Sequence, residues 1–154
     1  MTIALTLTTV LLIVVGLWWV TKRKPRLEIR VAAPEFVAEG DSCEVGIMIV
    51  NVSDRVVVLD TLTMDDSLLN HFDLIALTPK AQSTANALGA SGWRYRLSLT
   101  PCEGFNVVAH LRAKCCGDAV GELGALDSRL VGAREKVTIH VGKAVLSPPS
   151  LAGQ

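Results

Sequence analysis

Four cysteines, three histidines and one adjacent pair of aspartates are the residues of this chain best suited to chemistry. Cys115 and Cys116 follow one another in an expected turn, where thiols are accessible enough for redox or metal handling. Adjacent cysteines are not a C-x-x-C motif, and no second pair stands at zinc-ligand spacing. Cys102 belongs to the turn Pro101–Gly104. If the strands on either side of that turn form a hairpin, about nine residues at 3.3 Å put Cys102 roughly 30 Å from Cys115. A disulfide needs Cα atoms within about 7 Å, so the expectation is reduced thiols, as in a cytoplasmic domain.

His71, His110 and His140 have no positioned nucleophile in a G-x-S-x-G elbow to work with. His110 and His140 fall on the polar faces of expected strands, where surface histidine is the default. Asp65-Asp66 heads a short stretch, DDSLLN, that reads as one helical turn, and carboxylates there are expected as caps. No P-loop, G-x-G-x-x-G or EF-hand pattern occurs. The expectation is a non-enzymatic protein with no cofactor and no metal site.

One constellation points to binding. Pairing residue 99 with residue 105 in the hairpin sets Arg94 opposite His110 and Arg96 opposite Val108, with Arg112 two residues beyond His110. Arg94, Arg96, Arg112 and His110 would then share a basic stripe, suited to a carboxylate-bearing partner because guanidinium groups bind carboxylates bidentately. The small, polar run from Lys80 to Gly92 reads as a loop that could close over such a partner.

The elements that would carry these residues fall into four segments. Residues 1–21 read as a transmembrane anchor. Ile3 to Val20 carries no charge, and 18 helical residues span about 27 Å against a bilayer core of about 30 Å. Trp18 and Trp19 suit an interfacial aromatic belt. The cluster Lys22, Arg23, Lys24 and Arg26 makes residues 22–26 a basic juxtamembrane linker that would meet lipid headgroups. All four charges follow the helix, so the domain is expected on the cytoplasmic side. Bulky residues at the helix exit and the absence of a basic leader argue against a cleaved signal peptide.

Net charge is zero over the 154 residues, but the first 26 carry +4 and the remainder −4. An acidic domain lacks the field that nucleic-acid binding needs. Residues 27–146 read as a β-sandwich domain and 147–154 as a flexible tail. Strands are expected at Leu27–Val31, Cys43–Asn51, Arg55–Leu62, His71–Leu77, Gly92–Thr100, Phe105–Ala113, Ala119–Leu126 and Lys136–Val141. The strongest alternation places Trp93, Tyr95, Leu97 and Leu99 inward. About eight short strands with little helix mean an all-β sandwich.

The run of strand, E-G-D turn, long strand, N-x-S-D and strand, with the later W-R-Y-R-L-S-L-T-P-C-E-G segment, resembles immunoglobulin-like and arrestin-like sandwich modules. The antibody-type Cys…Trp…Cys signature is absent. The resemblance implies an immunoglobulin-like antiparallel β-sandwich and a tendency to bind proteins. The expectation is therefore a single-pass, membrane-tethered module that binds a partner protein. One alternative is metal or redox handling through Cys115 and Cys116 with nearby histidines. The other is an extracytoplasmic structural domain, in which Cys43 and Cys102 could be oxidised together.

Overall fold

A computed structural model describes residues 25–87 and 89–143. Ten strands and one helical turn follow in chain order. They are β1 (Leu27–Ala32), β2 (Phe36–Ala38), β3 (Ser42–Asn51), β4 (Val57–Asp65), α1 (Asp66–Leu69), β5 (Phe72–Thr78), β6 (Ser83–Ala87), β7 (Ala90–Leu99), β8 (Gly104–Ala113), β9 (Gly117–Asp127) and β10 (Gly132–Gly142). They form a four-stranded sheet, β1-β3-β8-β5, and a six-stranded sheet, β2-β10-β9-β4-β7-β6.

The sandwich follows from the period-2 pattern, because alternate side chains of a strand share a face. Val45, Ile47 and Ile49 of β3 and Val107, Ala109 and Leu111 of β8 are buried. They meet Leu59, Leu62 and Met64 of β4, Leu123 of β9 and Ile139 of β10 in one core. Each such side chain larger than alanine stabilises the fold by about 1.5–3 kcal/mol when fully buried. Tyr95 and Phe105 meet edge to face with centroids 5.2 Å apart.

The all-β expectation holds, with three corrections. First, β2 pairs parallel to β10, so the sandwich is not wholly antiparallel. Second, the segment read as a loop from Lys80 to Gly92 contains β6, which pairs with the start of β7. Its sequence STANA has no apolar period because it is an edge strand. Third, Leu97 is 37% exposed rather than inward. The ladder between β4 and β7 shifts register between Leu59 and Thr61, and Arg96 takes a left-handed φ of 49° beside that shift.

Helix α1 falls where one turn was expected. Asp65 makes no side-chain cap bond there. Its carboxylate accepts the Glu122 N–H at 2.9 Å instead. Among the described residues no helix is long and apolar enough to cross a membrane. The expected anchor with Trp18 and Trp19, the basic residues Lys22, Arg23 and Lys24, and the tail at 147–154 lie outside the described residues.

Candidate functional site

The expected basic stripe does not form. Strands β7 and β8 lie in different sheets: β7 pairs with β4 and β6, and β8 pairs with β3 and β5. The turn between them crosses the sandwich. It is held to the end of β3, where Cys102 N–H donates to the Asn51 carbonyl at 2.9 Å and Asn51 N–H to the Glu103 carbonyl at 3.0 Å. The Glu103 carboxylate accepts Thr100 N–H at 2.7 Å and the Thr100 hydroxyl at 2.8 Å. Both bonds hold its pKa below the ordinary glutamate value.

Arg94 therefore sits opposite Thr61 and Ser83, not His110. Arg94 and Arg96 are exposed on the outside of the six-stranded sheet, and Arg96 lies 3.9 Å from Asp60. His110 and Arg112 are on the outside of the other sheet. His110 Nδ1 lies 3.2 Å from Glu44 Oε1 and its Nε2 3.2 Å from Thr78 Oγ1. Arg112 stands between Ser42 and Asp73. Of the four residues, the fold keeps only His110 and Arg112 together. Arg26, the one residue of the basic cluster that is described, accepts Val52 N–H at its carbonyl, 2.9 Å away.

The cysteines are free: Cys43 is half-buried and Cys102, Cys115 and Cys116 are exposed. Cys102 and Cys115 flank opposite ends of β8. Cys43 begins β3, whereas Cys102 is bonded to Asn51 at its other end. Eight strand residues at 3.3 Å separate those ends by about 26 Å. The disulfide considered for an extracytoplasmic domain is thus excluded by distance.

Cys116 Sγ donates to Glu39 Oε2 at 3.0 Å. That bond, with the carboxylate's charge, pushes the thiol pKa up, opposite to what a reactive thiolate needs. Burial raises the Cys43 thiol likewise. His71 Nδ1 faces the Cys115 carbonyl at 3.2 Å, and His140 Nδ1 faces Asp118 at 2.6 Å. Among the described residues no group of three or more His, Cys, Asp or Glu side chains could hold a metal.

The site that the strand pattern did not reveal lies along β5. An open groove of about 430 Å³ runs between the edge strands β5 and β6. Leu74, Leu77 and Ala81 line it with Trp93, and Lys80 and Ser83 supply polar groups. The Tyr95 hydroxyl donates to the Pro79 carbonyl at 2.9 Å, which ties the β5–β6 connection to β7. On the other side of β5 a second depression, about 640 Å³, is lined by Glu44, His110 and Arg112. Ile75 and Ala76 border both. The β5–β8 ladder shifts between Leu74 and Ala76, and Ile75 is 54% exposed. The only sequence signals were the run from Lys80 to Gly92 and the pair His110 and Arg112.

The opposite side of the sandwich is closed. There the Val31 N–H of β1 donates to the Glu135 carboxylate of β10 at 3.1 Å, and the other edge strand, β2, has three residues.

No protein-family model matches the chain, and no curated protein sequence does. Among solved structures it is similar to AvmM, described as catalysing macrocyclization in alchivemycin A biosynthesis. The TM-score is 0.51 at 12% identity, over 83% of this chain and 93% of that one. It is similar also to a cohesin module from a Clostridium perfringens family 33 glycoside hydrolase, with TM-score 0.51 and 12% identity over 78% of this chain and 99% of that one. At these identities the likeness is one of fold.

Proposed function

We propose that this chain is a membrane-tethered, non-catalytic β-sandwich module of immunoglobulin-like kind that holds a partner polypeptide across β5. The observation that carries the reading is the exposed Ile75, set between an apolar groove and a depression containing Arg112. An isoleucine more than half exposed beside Leu74, Leu77 and Trp93 marks a contact surface. Arg112 offers a fork for a carboxylate of the partner. The register shift in β5 interrupts its edge, which disfavours simple strand addition. Recognition therefore runs through side chains, with an apolar residue in the groove and an acidic one on Arg112.

The tether is the uncharged run from Ile3 to Val20. The basic residues that come after it favour the cytoplasmic side for the domain. The test uses full-length protein in its native membrane, with a photo-crosslinking residue at position 75 and, as control, at position 138 on the outside of the six-stranded sheet. The expected result is a discrete adduct from position 75 that disappears in the Arg112→Glu background. Equal products from both positions, or none from 75, would overturn the groove. Separately, a phosphatase fusion after Val145 that proves active would overturn the cytoplasmic assignment.

A further inference from the structure

One end of the sandwich gathers the chain entry and three connections. Leu27 opens β1 opposite Asn51, the last residue of β3. Leu59 of β4 faces Asp127, the last residue of β9, and Ser128 N–H donates to the Val58 carbonyl at 3.1 Å. The loop from β3 to β4 and the hairpin from β9 to β10 thus project side by side, in the direction from which residues 25 and 26 arrive.

Those two tips are apolar. Val52 is 53% exposed, Val56 57% and Leu130 75%. Leu130 has φ 60°, the left-handed conformation that suits glycine or asparagine. A turn selected for stability would carry one of those residues, yet this one presents a leucine. The turn itself is rigid. Buried Asp127 accepts Arg129 N–H at 2.8 Å and Val131 N–H at 3.1 Å, and pairs with the Arg129 guanidinium at 2.6 Å. Beside Val52 and Val56 stands exposed Arg55, 4.0 Å from Asp54. Of the other acidic groups at this end, Glu103 is occupied by Thr100 and Glu28 by Arg30.

The length of the connecting chain identifies what meets this end. Val52 is hydrogen-bonded to Arg26, and the uncharged run stops at Val20. Six residues reach at most about 20 Å when fully extended. On the reading of Ile3 to Val20 as an anchor, these tips belong to the end of the domain that faces the bilayer. We infer that Val52, Val56 and Leu130 dip into the lipid interface, with Arg55 among the headgroups, so that the domain stands on the membrane by this end. Apolar side chains entering the headgroup boundary beside cations are the general form of interfacial binding.

The inference rests on the anchor, and the test separates the two. Full-length protein is reconstituted into phosphatidylcholine–phosphatidylserine vesicles with brominated acyl chains, which quench tryptophan on contact. Trp18 and Trp19 report on the anchor in the unsubstituted protein, over a constant signal from Trp93, which is buried in the domain. Leu130→Trp adds a reporter at the tip, and Asp41→Trp adds one at the far end of the sandwich. The expected result is that the intensity added by Leu130→Trp is lost in brominated lipid, whereas that added by Asp41→Trp is kept. Equal survival of the two added signals, with Trp18 and Trp19 quenched, overturns the lipid contact and leaves the anchor. A blue-shifted but unquenched Leu130→Trp overturns it also, because a protein surface then covers the tip. Quenching at position 130 with Trp18 and Trp19 unquenched sinks the anchor and upholds the contact.

Discussion

The amide of Asn51 in the four-stranded sheet donates to the Leu99 carbonyl in the six-stranded sheet, across 2.9 Å. The same Nδ2 donates to the Arg55 carbonyl at 2.7 Å, and Oδ1 accepts from Ser53 N–H at 3.0 Å and Ser53 Oγ at 2.7 Å. Asn51 is fully buried, and every polar atom of its amide is used. Asn51→Ala strips partners from two carbonyls, and each buried group left unsatisfied costs about 1–3 kcal/mol. Denaturant unfolding should show a loss of roughly 2–4 kcal/mol on that basis. Asn51→Asp should be no better, because a carboxylate cannot donate to either carbonyl. A neutral result for both variants would mean that the two sheets are not joined through this residue.

Trp93 and Arg94 are neighbours with opposite roles. Trp93 is 9% exposed and forms part of the groove wall, whereas Arg94 projects to solvent. Truncating a buried tryptophan costs about 3–5 kcal/mol, so Trp93→Ala should destabilise the domain by about the lower of those values, one edge being wetted already. Arg94→Ala should stay within about 0.5 kcal/mol. Thermal melts of the two variants side by side are the check.

Glu39 holds the Cys116 thiol in its protonated form. A raised pKa leaves less thiolate at any pH below it, and the thiolate is the reacting species. Alkylation at pH 8 should therefore be faster at Cys116 in Glu39→Gln than in the unsubstituted protein. Fragment mass spectra that separate Cys116 from Cys115 give the rate. An unchanged rate would show that the contact between Cys116 and Glu39 does not persist in solution.

For Glu103 the sign runs the other way. Its folded pKa lies below 4.5, the ordinary value. Its contribution is complete above that value and is lost as pH falls through the lower, folded one. The melting temperature should drop over that acid range in the unsubstituted protein, and drop less in Glu103→Gln. Parallel acid profiles would mean that the carboxylate does not hold the turn.

Leu130 offers a test of stability against contact. A non-glycine residue in the left-handed region costs about 1–2 kcal/mol, and glycine's own chain entropy returns about half of that. Leu130→Gly should therefore stabilise the protein in detergent by roughly 0.5–1 kcal/mol. A loss of stability would mean that Leu130 is packed inside the protein.

Much of the sandwich was legible because alternation reports which face a side chain takes. Val45, Ile47 and Ile49, and Val107, Ala109 and Leu111, went inward as their spacing required. Alternation does not name a strand's neighbour. Arg94 and His110 were set together only by assuming that a short turn makes a hairpin, and PCEG instead carries the chain from one sheet to the other. The same blindness hid the groove, since β5 and β6 follow one another in the chain yet end as edges of different sheets. Strand β6 was itself invisible: an edge strand of Ser, Thr, Ala and Asn buries too little to show a period. Leu97 misled because β7 carries an extra residue at Tyr95–Arg96 opposite Asp60, and such a bulge leaves the alternation of apolar and polar residues in the sequence unbroken.

Strand β10 begins at the end where the chain enters and finishes at the other. It has 11 residues, which at 3.3 Å each cover about 35 Å. Arg26 and Lys143 are thus held apart by the full height of the sandwich, through one continuous strand paired along its length with β9. The chain beyond Lys143 starts that far from the entry point, at a distance set by backbone hydrogen bonds. The domain thereby fixes the distance between the point where the chain enters it and the point where β10 ends.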